Sequence, residues 1–359
     1  MKNISAHSFE IGAIRPPSEG ASSSLLIRVT RNCPWNQCKF CYGRPYNHEK
    51  FELRTVEEIK KDIQAAEAIS EEIKRVSWQL GYAGQINHMV GTAILQGDPD
   101  LRESHSFLTV FNWLSSGGST VFLQDADSLI MKTPDLIEVI TCLKETFPSL
   151  ERITSYARAK TIYRKTLEEL KSLRKAGLSR LHVGLESGDD EVLKHVNKGV
   201  TAEQHIIAGK KAKETGFEYS AYVMPGLGGR SRSEQHAKNT ARVLNEINPD
   251  YIRSRPLIPG VGTPLFDEYE GGDFQLSSPH ERLRELKTMI EALTVTSHFC
   301  FDHMMNGWRN ESGSFLFTQD YEGYKLPEEK GKILELIEEG LRVKESKHID
   351  AKDLVAMAL

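Results

Sequence analysis

The sequence predicts an α/β protein: a partial, open-sided (β/α)6 barrel of the TIM type, followed by a mainly helical C-terminal extension. Three observations carry that reading. Short apolar, β-branched runs alternate six times with amphipathic helical stretches, which implies parallel strands joined by right-handed crossovers. No antiparallel hairpin signal interrupts the alternation. Six units are too few to close an eight-stranded barrel, and in the complete barrel the functional loops lie at the carboxyl ends of the strands.

The elements follow in order. SLLIRVTR (24–31) is apolar and β-branched and reads as the first strand, stopping just before Cys33. From Thr55, TVEEIKKDIQAAEAISEEIKRV has the alternation of a long amphipathic helix, with Thr55 as N-cap and Glu58 completing a capping box. STVFLQDAD then precedes the helix TPDLIEVITCLKETFP, ERITSYAR precedes TLEELKSLRKAGL, and SRLHVGLESG precedes DDEVLKHVNKG and TAEQHIIAGKKAKETG. FEYSAYVMPGLGG, the helix SRSEQHAKNTARVLNEIN and the strand PDYIRSRPLIPG complete the set. The expected organisation is an N-terminal extension (1–21), the barrel (22–265) with an insertion at 78–118, and a C-terminal, mainly helical segment (266–359).

Composition narrows the function classes. With 359 residues, 39% hydrophobic and 27% charged, the chain can bury a large core. A formal charge of −4 gives no general attraction to nucleic acid or anionic membrane, so neither is expected as a partner. The N-terminus lacks the pattern of a secretory signal, and no apolar run approaches the ~20 residues needed to cross a bilayer, so a cytoplasmic protein is expected.

Five cysteines, an odd number, argue against a disulfide framework and for metal or thiol chemistry. Three of them, Cys33, Cys38 and Cys41, fall within nine residues in NCPWNQCKFCYG. Zinc would want a fourth ligand, for which His48 is the nearest candidate. Three thiolates on a four-iron cluster would instead leave one iron open to another ligand. Cys142, on the apolar face of its helix, reads as a core thiol, and Cys300 lies far down the chain.

With the loop CxxxxCxφC, its place after the first strand and the six units, the chain resembles the radical S-adenosylmethionine (SAM) superfamily over about residues 22–265. The usual spacing is CxxxCxφC; here one extra residue separates Cys33 from Cys38, and Phe40 takes the aromatic place. The resemblance implies an oxygen-sensitive [4Fe-4S] cluster on Cys33, Cys38 and Cys41, with SAM chelating the open iron. It implies reductive cleavage to a 5′-deoxyadenosyl radical that abstracts hydrogen from substrate. The family's GGE-like amine acceptor after strand two is replaced by QDADS, which offers Asp125 or, by offset, Asp127. Glu186 and Ser187 of GLESG match positions that contact the ribose and methionine moieties, and Arg158 could pair with the methionine carboxylate. In VMPGLGG, Met224, Gly226 and Gly228 would lie beside the adenine.

Only 32 residues precede Cys33, so no N-terminal cobalamin-binding domain is expected, nor a second cluster domain. GLESGDDEVLKHVNKGVT and PGLGG look most like the branch of oxygen-independent coproporphyrinogen dehydrogenases and Elp3-like proteins. The expected partners are a small organic substrate and an electron donor such as flavodoxin or ferredoxin. Cys300, among polar neighbours in HFCFDH, is a candidate catalytic thiol and hydrogen donor. Two alternatives are a haem-binding chaperone on the same fold, using His298 or His303, and a tRNA-modifying radical enzyme.

Overall fold

The computed structural model describes residues 4–13, 24–41 and 50–357. Contacts divide the chain into two compact units that interleave along it. The first holds Met1–Pro34, Phe51–Tyr156 and Glu168–Arg180; the second holds Trp35–Lys50, Ala157–Leu167 and Leu181–Leu359.

In the first unit, β1 (Leu25–Arg28) is buried along its whole length, as a parallel strand covered on both faces should be. Val29 ends it, and a separate β2 (Thr30–Arg31) pairs antiparallel with β3 (Glu52–Leu53), so the run 24–31 is two strands and not one. β1 lies parallel to β4 (Thr120–Gln124), with Leu25 opposite Val121, and β4 lies parallel to β5 (Arg152–Ala157). The helix Val56–Gln79 carries the expected capping box: Thr55 Oγ1 accepts from Glu58 N–H at 3.2 Å, and Glu58 Oε2 accepts from Thr55 N–H at 2.8 Å. It buries Ile59, Ile63, Ala66, Ile69, Ile73 and Val76. The 78–118 stretch holds two further helices, His88–Gly97 and His105–Ser115, capped by Asn87 and Ser104.

One expectation in this unit is corrected. The helix Thr133–Thr146 buries Leu136, Val139, Ile140 and Leu143, and Cys142 sits at the edge of that stripe, where it is partly exposed and not a core thiol.

β6 (Leu178–Glu186) begins in the first unit and continues into the second, where the strand order is β6-β7-β8-β9-β10. β7 (Glu218–Val223) and β8 (Tyr251–Ser254) are parallel, with Ser220 opposite Tyr251 and Tyr222 opposite Arg253. β9 (His298–Cys300) adds a parallel strand after the six expected, and β10 (Tyr324–Lys325) closes that edge antiparallel. These two strands lie in the segment expected to be mainly helical. At three and two residues they are too short to show a period of two. The helices Pro264–Glu270, Pro279–Ala292, Lys330–Arg342 and Ala351–Met357 make up the rest of its regular structure. The helix Ala202–Glu214 again carries a capping box, from Thr201 and Gln204. Gly209 lets it approach the helix Gly229–Ile247: a Cβ there would stand 2.5 Å from Ile247 Cγ2. No helix among the described residues is long and apolar enough to cross a membrane.

Candidate functional site

Each strand end of interest carries a polar loop, and local chemistry explains how each is held. In the first unit, Asn32 follows β2 in the left-handed conformation (φ 63°), where asparagine is one of the better tolerated residues, and its Oδ1 accepts from the Cys33 N–H at 2.6 Å. Cys33 is partly exposed. Beyond β4, Asp125 is buried and accepts from Arg28 Nε at 2.9 Å and Nη2 at 2.6 Å. Arg28 also reaches Glu10 at 2.7 Å, and Arg31 grips both oxygens of Glu10 at 2.8 and 2.6 Å. That bidentate grip, against the opposing effect of burial and with further help from Arg54 and Arg28, holds the Glu10 carboxyl down at about 2. Asp125 thus serves an ion-pair network that anchors Glu10. Asp127 is fully buried ahead of a short 3-10 turn, Ser128–Ile130, and its carbonyl accepts from Ile130 N–H at 3.1 Å.

In the second unit, Cys38 and Cys41 are both partly exposed and joined by a turn in which Cys41 N–H donates to Cys38 C=O at 3.1 Å. The loop is fastened by its own backbone: Lys39 N–H donates to Val196 C=O, and Lys39 C=O accepts from Leu265 N–H. Trp35 Nε1–H donates to Asn197 C=O at 2.7 Å, and Gly199 (φ 73°) makes room for the indole, since a Cβ there would meet it at 2.6 Å. Arg158 stands 5.3 Å over that indole and donates to the Lys198 carbonyl at 2.8 Å. Lys198 donates to Glu186 Oε1 at 3.0 Å and lies 5.5 Å from the Phe40 ring. Burial opposes its charge, but Glu186 and Cys38 outweigh that, and its pKa is raised. Arg255 is pushed down to about 10 by burial, against the attraction of Cys41. Lys198 thus interacts electrostatically with Cys38 and Arg255 with Cys41. This donor set suits an iron-sulfur cluster. Among the described residues, no three histidine, cysteine or acidic side chains stand close enough together to hold a metal ion as they lie, and His48 is outside those residues.

Glu186 ends β6 with φ 63°, a left-handed conformation that a non-glycine residue keeps only where its surroundings impose it. Its carbonyl accepts from Met224 N–H at 3.0 Å and from His236 Nε2–H at 3.3 Å. His236 Nδ1 bonds Glu285 Oε1 at 2.9 Å, and Glu285 also accepts from Gly226 N–H at 2.8 Å and from the Ser233 hydroxyl at 2.7 Å. Ser187 accepts from Asp189 N–H at 3.0 Å, and Asp189 caps the next helix at Val192 N–H. Met224 lies in an apolar cluster with Val192, Val196, Leu227, Leu257, Leu265 and Phe274, against which Phe40 packs. Gly226 (φ 87°) and Gly228 are both tightly packed, the first against Arg282 and the second against His236.

The fully buried His236–Glu285 pair yields a prediction. Burial opposes the imidazolium, yet Glu285 outweighs it and the His236 pKa is raised. The pair's contribution is then fully present below the unfolded value of 6.5 and is lost as pH rises through the raised folded value. His236→Leu should cost about 3–5 kcal/mol by stranding the Glu285 carboxylate. Urea unfolding against pH checks both: wild-type stability falls above neutrality, and the loss is smaller in the variant.

Cys300 is buried on β9, where its Sγ donates to Tyr321 C=O at 3.3 Å. His303 is held down at about 3 by burial and by Arg255. His298 Nδ1 bonds Glu322 C=O at 2.7 Å. Sequence reasoning missed Trp35, Lys198, Arg255 and the His236–Glu285 pair. Only the NKG turn, with Asn197 and Gly199 at positive φ, hinted at the first two.

The model of the radical SAM superfamily matches residues 27–241, and the chain belongs to that superfamily. It is accordingly an enzyme of a family that uses a [4Fe-4S] cluster and SAM. It is similar to the tRNA uridine(34) acetyltransferase of Methanocaldococcus infernus, 28% identical over 110 residues, which cover 30% of this chain and 20% of that protein. It also resembles a probable threonylcarbamoyladenosine tRNA methylthiotransferase of Methanocaldococcus jannaschii, 33% identical over 85 residues, covering 23% and 19%. The matches thus span about a fifth of these relatives' length. Among solved structures, coproporphyrinogen III oxidase from Escherichia coli aligns with TM-score 0.44 and 16% identity over 77% of this chain and 53% of that one.

Proposed function

We propose that this protein is a radical SAM enzyme acting on a small organic substrate, with Cys33, Cys38 and Cys41 holding the cluster. The observation that carries the reading is the loop itself: three partly exposed cysteines, Cys38 and Cys41 joined by a turn, and Phe40 in the family's aromatic place with Lys198 5.5 Å from its ring. The cluster, when bound and reduced, supplies the electron that cleaves SAM to a 5′-deoxyadenosyl radical. The chain's own residues bind and orient. Glu186, which accepts from Lys198 Nζ at 3.0 Å, also accepts hydrogen bonds from the ribose diol. Arg158 pairs with the methionine carboxylate, and Ser187 lines the same strand end. Met224, Gly226 and Gly228 lie along the adenine. Asp125 pairs with Arg28, and Asp127, favoured by its offset in QDADS, is the acidic group for the amine. Cys300, if the substrate radical reaches it, supplies a hydrogen atom.

The curated relatives favour a second reading. Both carry names of tRNA-modifying enzymes, so the expectation that nucleic acid is no partner finds no support in them. Anaerobic reconstitution, reduction and assay for 5′-deoxyadenosine test the shared part of the two readings; its absence would sink both. Stimulation of that release by unfractionated tRNA, with none by small metabolites, would favour the second.

A further inference from the structure

A parallel strand buried on both faces ordinarily carries apolar side chains on both. β8 is buried throughout, yet one of its faces is polar. Side chains alternate along a strand, and the registers set Tyr222, Arg253 and Cys300 side by side across β7, β8 and β9. His182 of β6 joins the row through a 2.8 Å hydrogen bond between its Nδ1 and the Tyr222 hydroxyl. On the opposite face stand Ala221, Val223, Ile252 and Phe299, with Ser254 as its one polar member.

Arg253 is the centre of the row and is 1% exposed. Its Nη1 donates to Asp302 Oδ2 at 2.6 Å and to Tyr321 C=O at 3.3 Å, and its Nε donates to Ser220 Oγ at 3.2 Å. The Tyr251 and Tyr321 rings lie 4.9 and 4.2 Å from the guanidinium. Nη2 finds no partner among the described residues. A buried guanidinium nitrogen left without an acceptor is costly, and one way a fold recovers that cost is by binding a ligand that supplies the acceptor. Asp302 already balances the guanidinium charge, so a doubly charged phosphate placed here would face a carboxylate. A singly charged, planar carboxylate is repelled less than a dianion and accepts from the two N–H groups of Nη2, the one remaining nitrogen.

We propose that Arg253 anchors a carboxylate of the substrate on the polar face of β8, so that the substrate class is a small carboxylic acid. The proposal rests on the radical-enzyme reading and deepens it. Arg255, the neighbour of Cys41, follows two residues later, about 7 Å of extended chain. A carboxylate held at Arg253 leaves the substrate's carbon chain free to extend along β8 toward the cysteine loop.

The test titrates the SAM-loaded, reconstituted protein with acetate, succinate, glutarate and lysine, each against its amide, and with inorganic phosphate. Melting temperature reads binding, and 5′-deoxyadenosine release is recorded separately. At least one carboxylate should bind, with its amide and the Arg253→Met variant each weaker by ~10-fold or more, Arg253→Lys intermediate, and phosphate without effect. Arg253→Met leaves Asp302 unpaired, so Arg253→Met/Asp302→Asn is measured beside it to separate lost folding from lost binding. Carboxylates that bind neither the wild type nor Arg253→Lys, equal binding by the folded double variant, or binding of phosphate in their place would each overturn the proposal. Failure of the wild type to release any 5′-deoxyadenosine, with carboxylate binding intact, would count against the radical-enzyme reading alone.

Discussion

Alanine at any one of Cys33, Cys38 or Cys41 should strip reconstituted protein of its iron, about four atoms per chain, and abolish SAM cleavage. The effect is all-or-none because in the proposed site three protein thiolates would already leave one iron without a protein ligand, and two could not retain the cluster. Cys142→Ala should leave iron content unchanged, since Cys142 lies at the edge of a helix in the first unit, distant in sequence from the motif. Lys198→Met and Arg255→Met should weaken cluster retention more mildly, because each removes a cation that interacts with one thiol of the motif and removes no ligand. Iron assay and the charge-transfer absorption of the cluster read all of these. Retention of iron by all three alanine variants would remove the basis for the proposed site.

Glu186→Gln should retain the cluster and lose SAM affinity by ~10- to 150-fold, the worth of a charge-assisted hydrogen bond of about 1.5–3 kcal/mol. Glutamine keeps the length of the side chain and gives up the ion pair with Lys198 at 3.0 Å. The backbone at Glu186 is unusual in its own right, and its carbonyl is held by Met224 N–H and His236. His236→Gln should therefore also weaken SAM binding while leaving iron content intact, by letting the left-handed residue relax. Equilibrium binding of SAM to the oxidised, cluster-loaded protein separates these effects from catalysis. Unchanged affinity in Glu186→Gln would place the cofactor elsewhere.

Much of this architecture was legible in the chain because its signals are local. The capping box expected at Thr55 satisfies a backbone donor three residues away, and it appears in the structure where residue type and spacing put it. The parallel strands β4, β5, β7 and β8 come from runs of four to six residues with β-branched and aromatic side chains that alternate with helices. The cysteine motif is contained in nine residues, so no folding is needed to recognise it.

Other features depend on residues that meet only when the chain folds. Cys142 has apolar neighbours in sequence, but whether a helix edge is covered depends on what packs there, and it is left partly open. β9 and β10 exist because the edge of β8 offers unpaired backbone groups, a demand that three- and two-residue segments do not advertise. Lys198 finds Glu186 across twelve residues, His236 finds Glu285 across forty-nine, and Arg253 finds Asp302 across forty-nine. By itself, then, the sequence determined the cysteine motif, the helices and the parallel character of the sheet, all set by interactions within a few residues. The tertiary structure alone decided which charges meet in the interior. Burial strips water from those groups, and a buried charge persists only where the fold delivers its partner.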